Sequence, residues 1–227
     1  SNPPITETPN ASFRSTDVGV VLDLMIHDID LVLSLVGSPV RRVEALGVSV
    51  MGGFEDAAAA RFEFESGCVA FLRASRVSRE PSRKMQIWAS GGFGEIDFAT
   101  RTAAITRPSD TLRQREFHVN SLSPAEVEYY REHLFEEHLP QERFEEGAVD
   151  ALALELNEFV ESIRRRREPL VSGRDGADAV AVAERVLDAI ENHAWSGTPD
   201  GMVGPYAPFG RSILPIPGLS QEKRKVG

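Results

Sequence analysis

Residues 19–36, GVVLDLMIHDIDLVLSLV, form a helix-length run that is apolar almost all the way round and carries one narrow polar stripe. On a wheel of about 100° per residue with Asp23 at zero, His27 falls at about +40°, Asp30 at about −20° and Ser34 at about +20°. Leu22, Met25, Ile26, Ile29, Leu33 and Val36 fill one flank, and Val20, Val21, Leu24, Leu31, Val32 and Leu35 fill much of the other. A helix this apolar is normally buried, so the pattern predicts two carboxylates and an imidazole held together in dry surroundings. Charge is costly to bury unless it is paired, and function concentrates in such clusters. Asp28, at about 140°, is the one acid that interrupts the apolar arc.

The rest of the composition narrows the setting. With 227 residues and 41% hydrophobic content the chain can build a real core in one or two domains. A net charge of −10 argues against nucleic acid or an anionic membrane as a partner. No apolar stretch is long enough to span a bilayer. The single cysteine, Cys68, cannot form an internal disulfide, which fits a cytoplasmic location. The opening SNPPITETPN lacks the basic and apolar regions of a signal peptide and reads as a polar leader over 1–12.

A helix over 17–36 is expected, capped by Ser15, Thr16 or Asp17 and stopped by Gly37-Ser38-Pro39. A strand follows over 40–50. In AAARFEFESG, Ala60, Phe62 and Phe64 alternate with Arg61, Glu63 and Glu65, and Ser66-Gly67 turns the chain into a second strand over 68–77. Further strands are expected over 83–90, 94–99, 102–107 and 114–120. The short connections favour antiparallel neighbours. Residues 123–147 are charged and read as partly helical, interrupted near Pro140. An amphipathic helix over 148–167 has Leu152, Leu156, Phe159 and Ile163 as its core stripe, and its terminal arginines suit the negative end of the helix dipole. Ser172 caps a last helix over 174–193, and the Pro/Gly-rich remainder, 196–227, reads as an extended arm or a disordered tail.

Asp23, His27 and Asp30 are three and four residues apart, so both acids can approach the imidazole. A carboxylate on one ring nitrogen fixes the tautomer and leaves the other nitrogen for proton transfer. Spacing alone favours the plainer alternative, a structural His–Asp pair joining the helix to the sheet. A divalent metal on the same three groups is a third option, weakened because no second histidine lies at helical spacing. The Gly91-Gly92-Phe93-Gly94 cluster is a turn rather than a dinucleotide fingerprint, since Asp97 stands where the third glycine belongs and a strand follows. Cys68 reads as a small apolar filler, and His118, His133, His138 and His193 lie in dissimilar contexts, with His133 and His138 expected at the surface.

The stretch FRSTDVGVVLDLMIHDIDLVLSLVG resembles the start of the C-terminal domain of oxidoreductases of the glucose–fructose oxidoreductase, inositol dehydrogenase and MocA type. AAAARFEFESGCVAFLRASR, MQIWASGGFGEIDF and LNEFVESIRRRREPLVSGRDGADAVAVAERVLDAI resemble that family's hairpin, glycine turn and two closing helices, in the same order. The resemblance covers roughly residues 13–193, and the domain is expected over 13–195. It implies an α+β fold, an open and mostly antiparallel sheet with helices on one face, as in the dihydrodipicolinate reductase-like C-terminal domain, with no Rossmann domain in this chain. It maps a catalytic D-x-x-x-H pair onto Asp23 and His27, with His27 handling the hydroxyl proton of a sugar, nucleotide sugar or cyclitol while hydride moves to or from NAD or NADP. Asp30 belongs to the H-D-x-D pattern and is read chiefly as structural; Arg14, Thr16 and Asp30 are the candidate substrate-binding residues. The wording DVGVVLDLMIHDID is most similar to enzymes that oxidise a UDP-amino sugar at C3.

Two departures from the family matter. Its Glu-Lys-Pro motif, with a catalytic lysine near the nicotinamide, is absent, since the only lysines are Lys84, Lys223 and Lys225. The N-terminal Rossmann half is absent too. The expectation is an isolated substrate and oligomerisation domain, inactive alone, that holds no cofactor or metal tightly and forms homo-oligomers through the sheet face. The rival reading is a non-catalytic self-associating module of the same fold, with Phe62, Phe64 and Trp88 on an uncovered sheet face.

Overall fold

The computed structural model describes residues 17–114, 119–147, 150–195 and 203–205. The leader, Arg14, Thr16, His118 and most of the C-terminal arm lie outside them. The described chain is α+β with every strand pairing antiparallel. It divides into two compact units, Ser1–Ser78 with Val171–Gly227, and Arg79–Leu170.

The first unit opens on a helix whose first turn, Val21–Met25, is a π turn and whose body, α1, spans Ile26–Val36. Gly37 ends it with φ of 58°, the left-handed conformation that a residue without Cβ adopts cheaply, and donates its N–H to the Leu33 carbonyl. Strands β1 (Val40–Val48), β2 (Ala57–Phe64) and β3 (Val69–Ser75) form a meander with β2 in the centre. The alternation legible in the sequence is what the sheet uses: Ala58, Ala60, Phe62 and Phe64 are buried, while Arg61 and Glu63 point the other way into a ladder of ion pairs with Arg41 and Glu44. The chain turns between β2 and β3 at Glu65–Gly67, with Phe64 N–H bonded to the Cys68 carbonyl.

Helix α5 (Gly173–Glu191) lies against β1 and α1. Ser172 caps it as expected, in a reciprocal capping box with Asp175. The cap hydroxyl and the Ser172 N–H hold the Asp175 carboxyl below its ordinary value. Ala179, Val182, Ala183, Val186 and Ile190 of α5 close the core over Phe62 and Phe64, together with Val20, Val21, Met25 and Ile29. The two phenylalanines are therefore core residues, not part of an uncovered face.

The second unit holds a four-stranded meander, β4 (Lys84–Ala89), β5 (Gly92–Asp97), β6 (Thr102–Thr106) and, after an excursion, β7 (Gln141–Glu145). The excursion carries α2 (Asp110–Arg113) and α3 (Pro124–His133), the latter running into a second π turn at Leu134–His138. The strand expected over 114–120 is not seen at its described ends: Gln114 closes α2, and Val119–Ser121 is a 3₁₀ turn. His138 is not a simple surface residue; its Nδ1 lies 3.1 Å from Ser109 Oγ and its ring packs on Tyr130.

Helix α4 (Ala151–Arg165) forms where the periodicity places it, capped by Asp150. Its stripe, however, is not core: Leu152, Leu156, Phe159 and Ile163 are 64, 56, 53 and 61% exposed. Amphipathic period specifies a helix and an apolar side; it does not specify that the same chain supplies the cover. Among the described residues no helix is long and apolar enough to cross a membrane.

Candidate functional site

The helix bearing Asp23, His27 and Asp30 starts later than its sequence suggests, and its cap comes from elsewhere. The N-cap position is Val20, whose side chain cannot accept a hydrogen bond. The first free amides are instead met from the loop before β2. The Glu55 carbonyl accepts from Val20 N–H at 3.0 Å, and Glu55 Oε1 accepts from Val21 N–H at 3.1 Å. Gly19 makes this approach possible, because a Cβ there would sit 1.8 Å from the Glu55 carboxylate. A carboxylate at a helix N-terminus is favoured by the helix dipole as well as by the hydrogen bonds.

The neighbouring acid completes the anchor. Asp56 Oδ2 accepts from the N–H groups of Val50 and Met51, each at 2.7 Å, and its Oδ1 faces Arg76 Nε at 3.5 Å. The Arg76 guanidinium in turn donates to the Val18 carbonyl, just before the helix. Glu55 and Asp56 are 4 and 3% exposed, so these are buried charges with partners rather than surface acids. Sequence reasoning missed both. They sit between a Gly-Gly pair and a strand, with no periodicity to mark them, and only tertiary structure brings them to the helix start.

On this anchored helix one flank packs and the other does not. Val21, Met25 and Ile29 are fully buried, while Asp23 and Asp30 are half-buried and His27 is exposed. The dry cluster expected from the wheel is therefore corrected: the imidazole faces solvent. Among the described residues no side chain hydrogen-bonds or ion-pairs with Asp23, His27 or Asp30. The π turn is one reason. It places an extra residue in the turn holding Asp23, with Ile26 N–H reaching back to the Val21 carbonyl, so a uniform α wheel mis-phases Asp23 against His27. Chemically, the result is an accessible imidazole on a rigidly held helix with two acids nearby and its ring nitrogens uncommitted.

No group of three or more His, Cys, Asp or Glu side chains converges on a metal-sized site among the described residues. Gly92 opens β5 directly across the hairpin from Ala89, so the glycine cluster is a strand connection and not a phosphate cradle.

Residues 9–197 match a family described as the oxidoreductase family, C-terminal alpha/beta domain. The chain belongs to that family. Over 178 residues it is 33% identical to UDP-N-acetylglucosamine 3-dehydrogenase of Acidithiobacillus ferrooxidans, a match covering 78% of this chain and 50% of that enzyme. A solved structure of the same dehydrogenase superposes with a TM-score of 0.63 at 32% identity, again over 78% of this chain and 50% of that one. A levoglucosan dehydrogenase solved with NADH shares the fold, with a TM-score of 0.57 at 14% identity over 76% of this chain and 48% of that one. The chain thus spans about half the length of these relatives. The family is one of oxidoreductase C-terminal domains, and the relatives of this chain include sugar dehydrogenases.

Proposed function

We propose that this chain is the substrate side of an NAD(P)-dependent dehydrogenase acting on a nucleotide sugar, with His27 as the proton-transfer residue and Asp23 as its partner. The observation that carries the reading is the accessible, uncommitted imidazole on a helix whose N-terminus is clamped to the sheet. A general base must reach its proton within hydrogen-bond distance, and a solvent-facing ring on a fixed helix can do so once substrate lies against it. Nicotinamide supplies the hydride chemistry when bound, and its site belongs to a companion half. Here His27 takes the proton of the reacting hydroxyl, Asp23 offsets the resulting imidazolium charge, and the buried flank of the helix keeps both from drifting. The 33% identity to a UDP-N-acetylglucosamine 3-dehydrogenase supports a UDP-amino sugar as the substrate. Arg14 and Thr16, outside the described residues, and Asp30 are the proposed substrate contacts.

The test is a chimera that joins this chain to the part of the Acidithiobacillus ferrooxidans enzyme that it does not match. Reduction of NAD(P)⁺ with UDP-N-acetylglucosamine is expected from the chimera, and neither turnover nor micromolar NADH binding from the chain alone. Tight NADH binding to the chain alone would overturn the division of labour. A second reading, self-association through a sheet face, is favoured by one observation: Trp88 on β4 is 76% exposed and stacks on Phe93 at 6.3 Å. Light scattering tests it, with a concentration-independent monomer as the contrary result.

A further inference from the structure

The first turn of the site helix is held from two directions at once. Glu55 fixes the amides of Val20 and Val21 through its backbone and side-chain oxygens, and Arg76 fixes the Val18 carbonyl. Met25, which closes that turn, and Ile29 beyond it are locked in the core against β3 and α5. Between these two clamps the backbone does not run as a plain α-helix. Ile26 N–H bonds to Val21 O, five residues back, although Asp23 N–H still bonds to Gly19 O four residues back at 3.1 Å. π turns are rare because their hydrogen bonds are no better than α bonds and they insert one residue into the helical phase. The one here lies between the end held by Glu55 and the body packed in the core.

We infer that Glu55 is a positioning residue: its buried carboxylate selects the π turn and thereby sets the azimuth of Asp23 relative to His27. The inference rests on the reading of that pair as the proton-transfer site. Without the carboxylate, Val21 N–H loses its partner, and the Glu55 carbonyl on Val20 N–H and Arg76 on the Val18 carbonyl are left to hold the chain ahead of Val21; the turn then relaxes to the α pattern, which would swing Asp23 round the axis by up to about 100°. Glutamine keeps an acceptor of the same reach. Aspartate keeps the charge but is one methylene too short. Gly19 belongs to the same device, since any side chain there would displace the carboxylate.

The direct readout is scalar coupling across hydrogen bonds in the full chain, by NMR on deuterated protein. The wild type and Glu55→Gln are expected to couple Ile26 nitrogen to the Val21 carbonyl carbon; Glu55→Ala and Glu55→Asp are expected to couple it to Leu22. Val186→Ala, a core change on α5, serves as the control for lost stability and should keep the Val21 coupling. Where Glu55→Ala does not fold, Glu55→Asp carries the test. Retention of the Val21 coupling in Glu55→Asp, or its loss in Val186→Ala, would overturn the inference. In the chimera, Glu55→Asp should lower kcat by about tenfold or more with KM little changed, because a displacement of about 1 Å can cost that much, and Glu55→Gln should restore most of it. If the coupling switches but kcat does not fall, Glu55 shapes the helix and the proton-transfer reading fails; if the coupling does not switch, the positioning claim fails whatever the activity.

Discussion

The two units reach their folds from similar sequence material and end in opposite states. In the first, the apolar face of the sheet and the apolar sides of α1 and α5 meet, and all fifteen buried hydrophobic residues among those described belong to it. In the second, the sheet and α4 are equally well formed, yet the only buried residue described is Ser162. Secondary structure alone does not make a core. Short-range signals such as alternation, caps and turns suffice for both units, whereas burial requires a facing element, and among the described residues the first unit's elements bury one another.

This contrast can be broken at graded cost. Phe62→Ala should lose about 3–5 kcal/mol and could unfold the chain, because the ring is fully buried and leaves a cavity; urea melts read this directly. Ser172→Ala should cost about 1 kcal/mol by removing the α5 cap. The sign of its pH dependence follows from Asp175, whose carboxyl lies below its ordinary 3.8. A depressed folded-state value contributes stability above the unfolded value and loses it as pH falls through the folded one. The Ser172→Ala penalty should therefore be full at neutral pH and shrink below about pH 4. Leu156→Ala on α4 should cost no more than about 0.5 kcal/mol, since the side chain is already in water. A penalty there as large as that of Phe62→Ala would show that α4 is covered in solution. Hydrogen exchange should follow the same order, with β2 and α5 amides the slowest and those of β5 and β6 exchanging through local opening.

Much of this was legible in the residues. The β2 alternation identified its buried face because a strand's period is two and one face meets the helices. Ser172 and Gly37 identified helix ends because capping is local chemistry. β7 escaped notice because QERFE has no apolar alternation; all five residues are exposed, and backbone pairing with β6 alone makes it a strand. The α4 stripe misled as core because periodicity marks a side, not a neighbour. At the site, the helix and its three polar residues were visible, but the exposure of His27, the π turn and the Glu55–Asp56–Arg76 anchor were not. Each depends on contacts more than thirty positions apart or on a departure from the uniform wheel on which the reading relied.

The proposed chemistry requires one imidazole, His27, to carry the proton. Initial rates of NAD(P)⁺ reduction by the chimera with UDP-N-acetylglucosamine, compared between wild type and His27→Ala at matched folding, test it most directly. His27 is exposed and unpaired with described side chains, so the substitution should leave the melting curve in place while turnover falls by about 10²–10⁴-fold. Turnover within a few-fold of wild type would contradict the account.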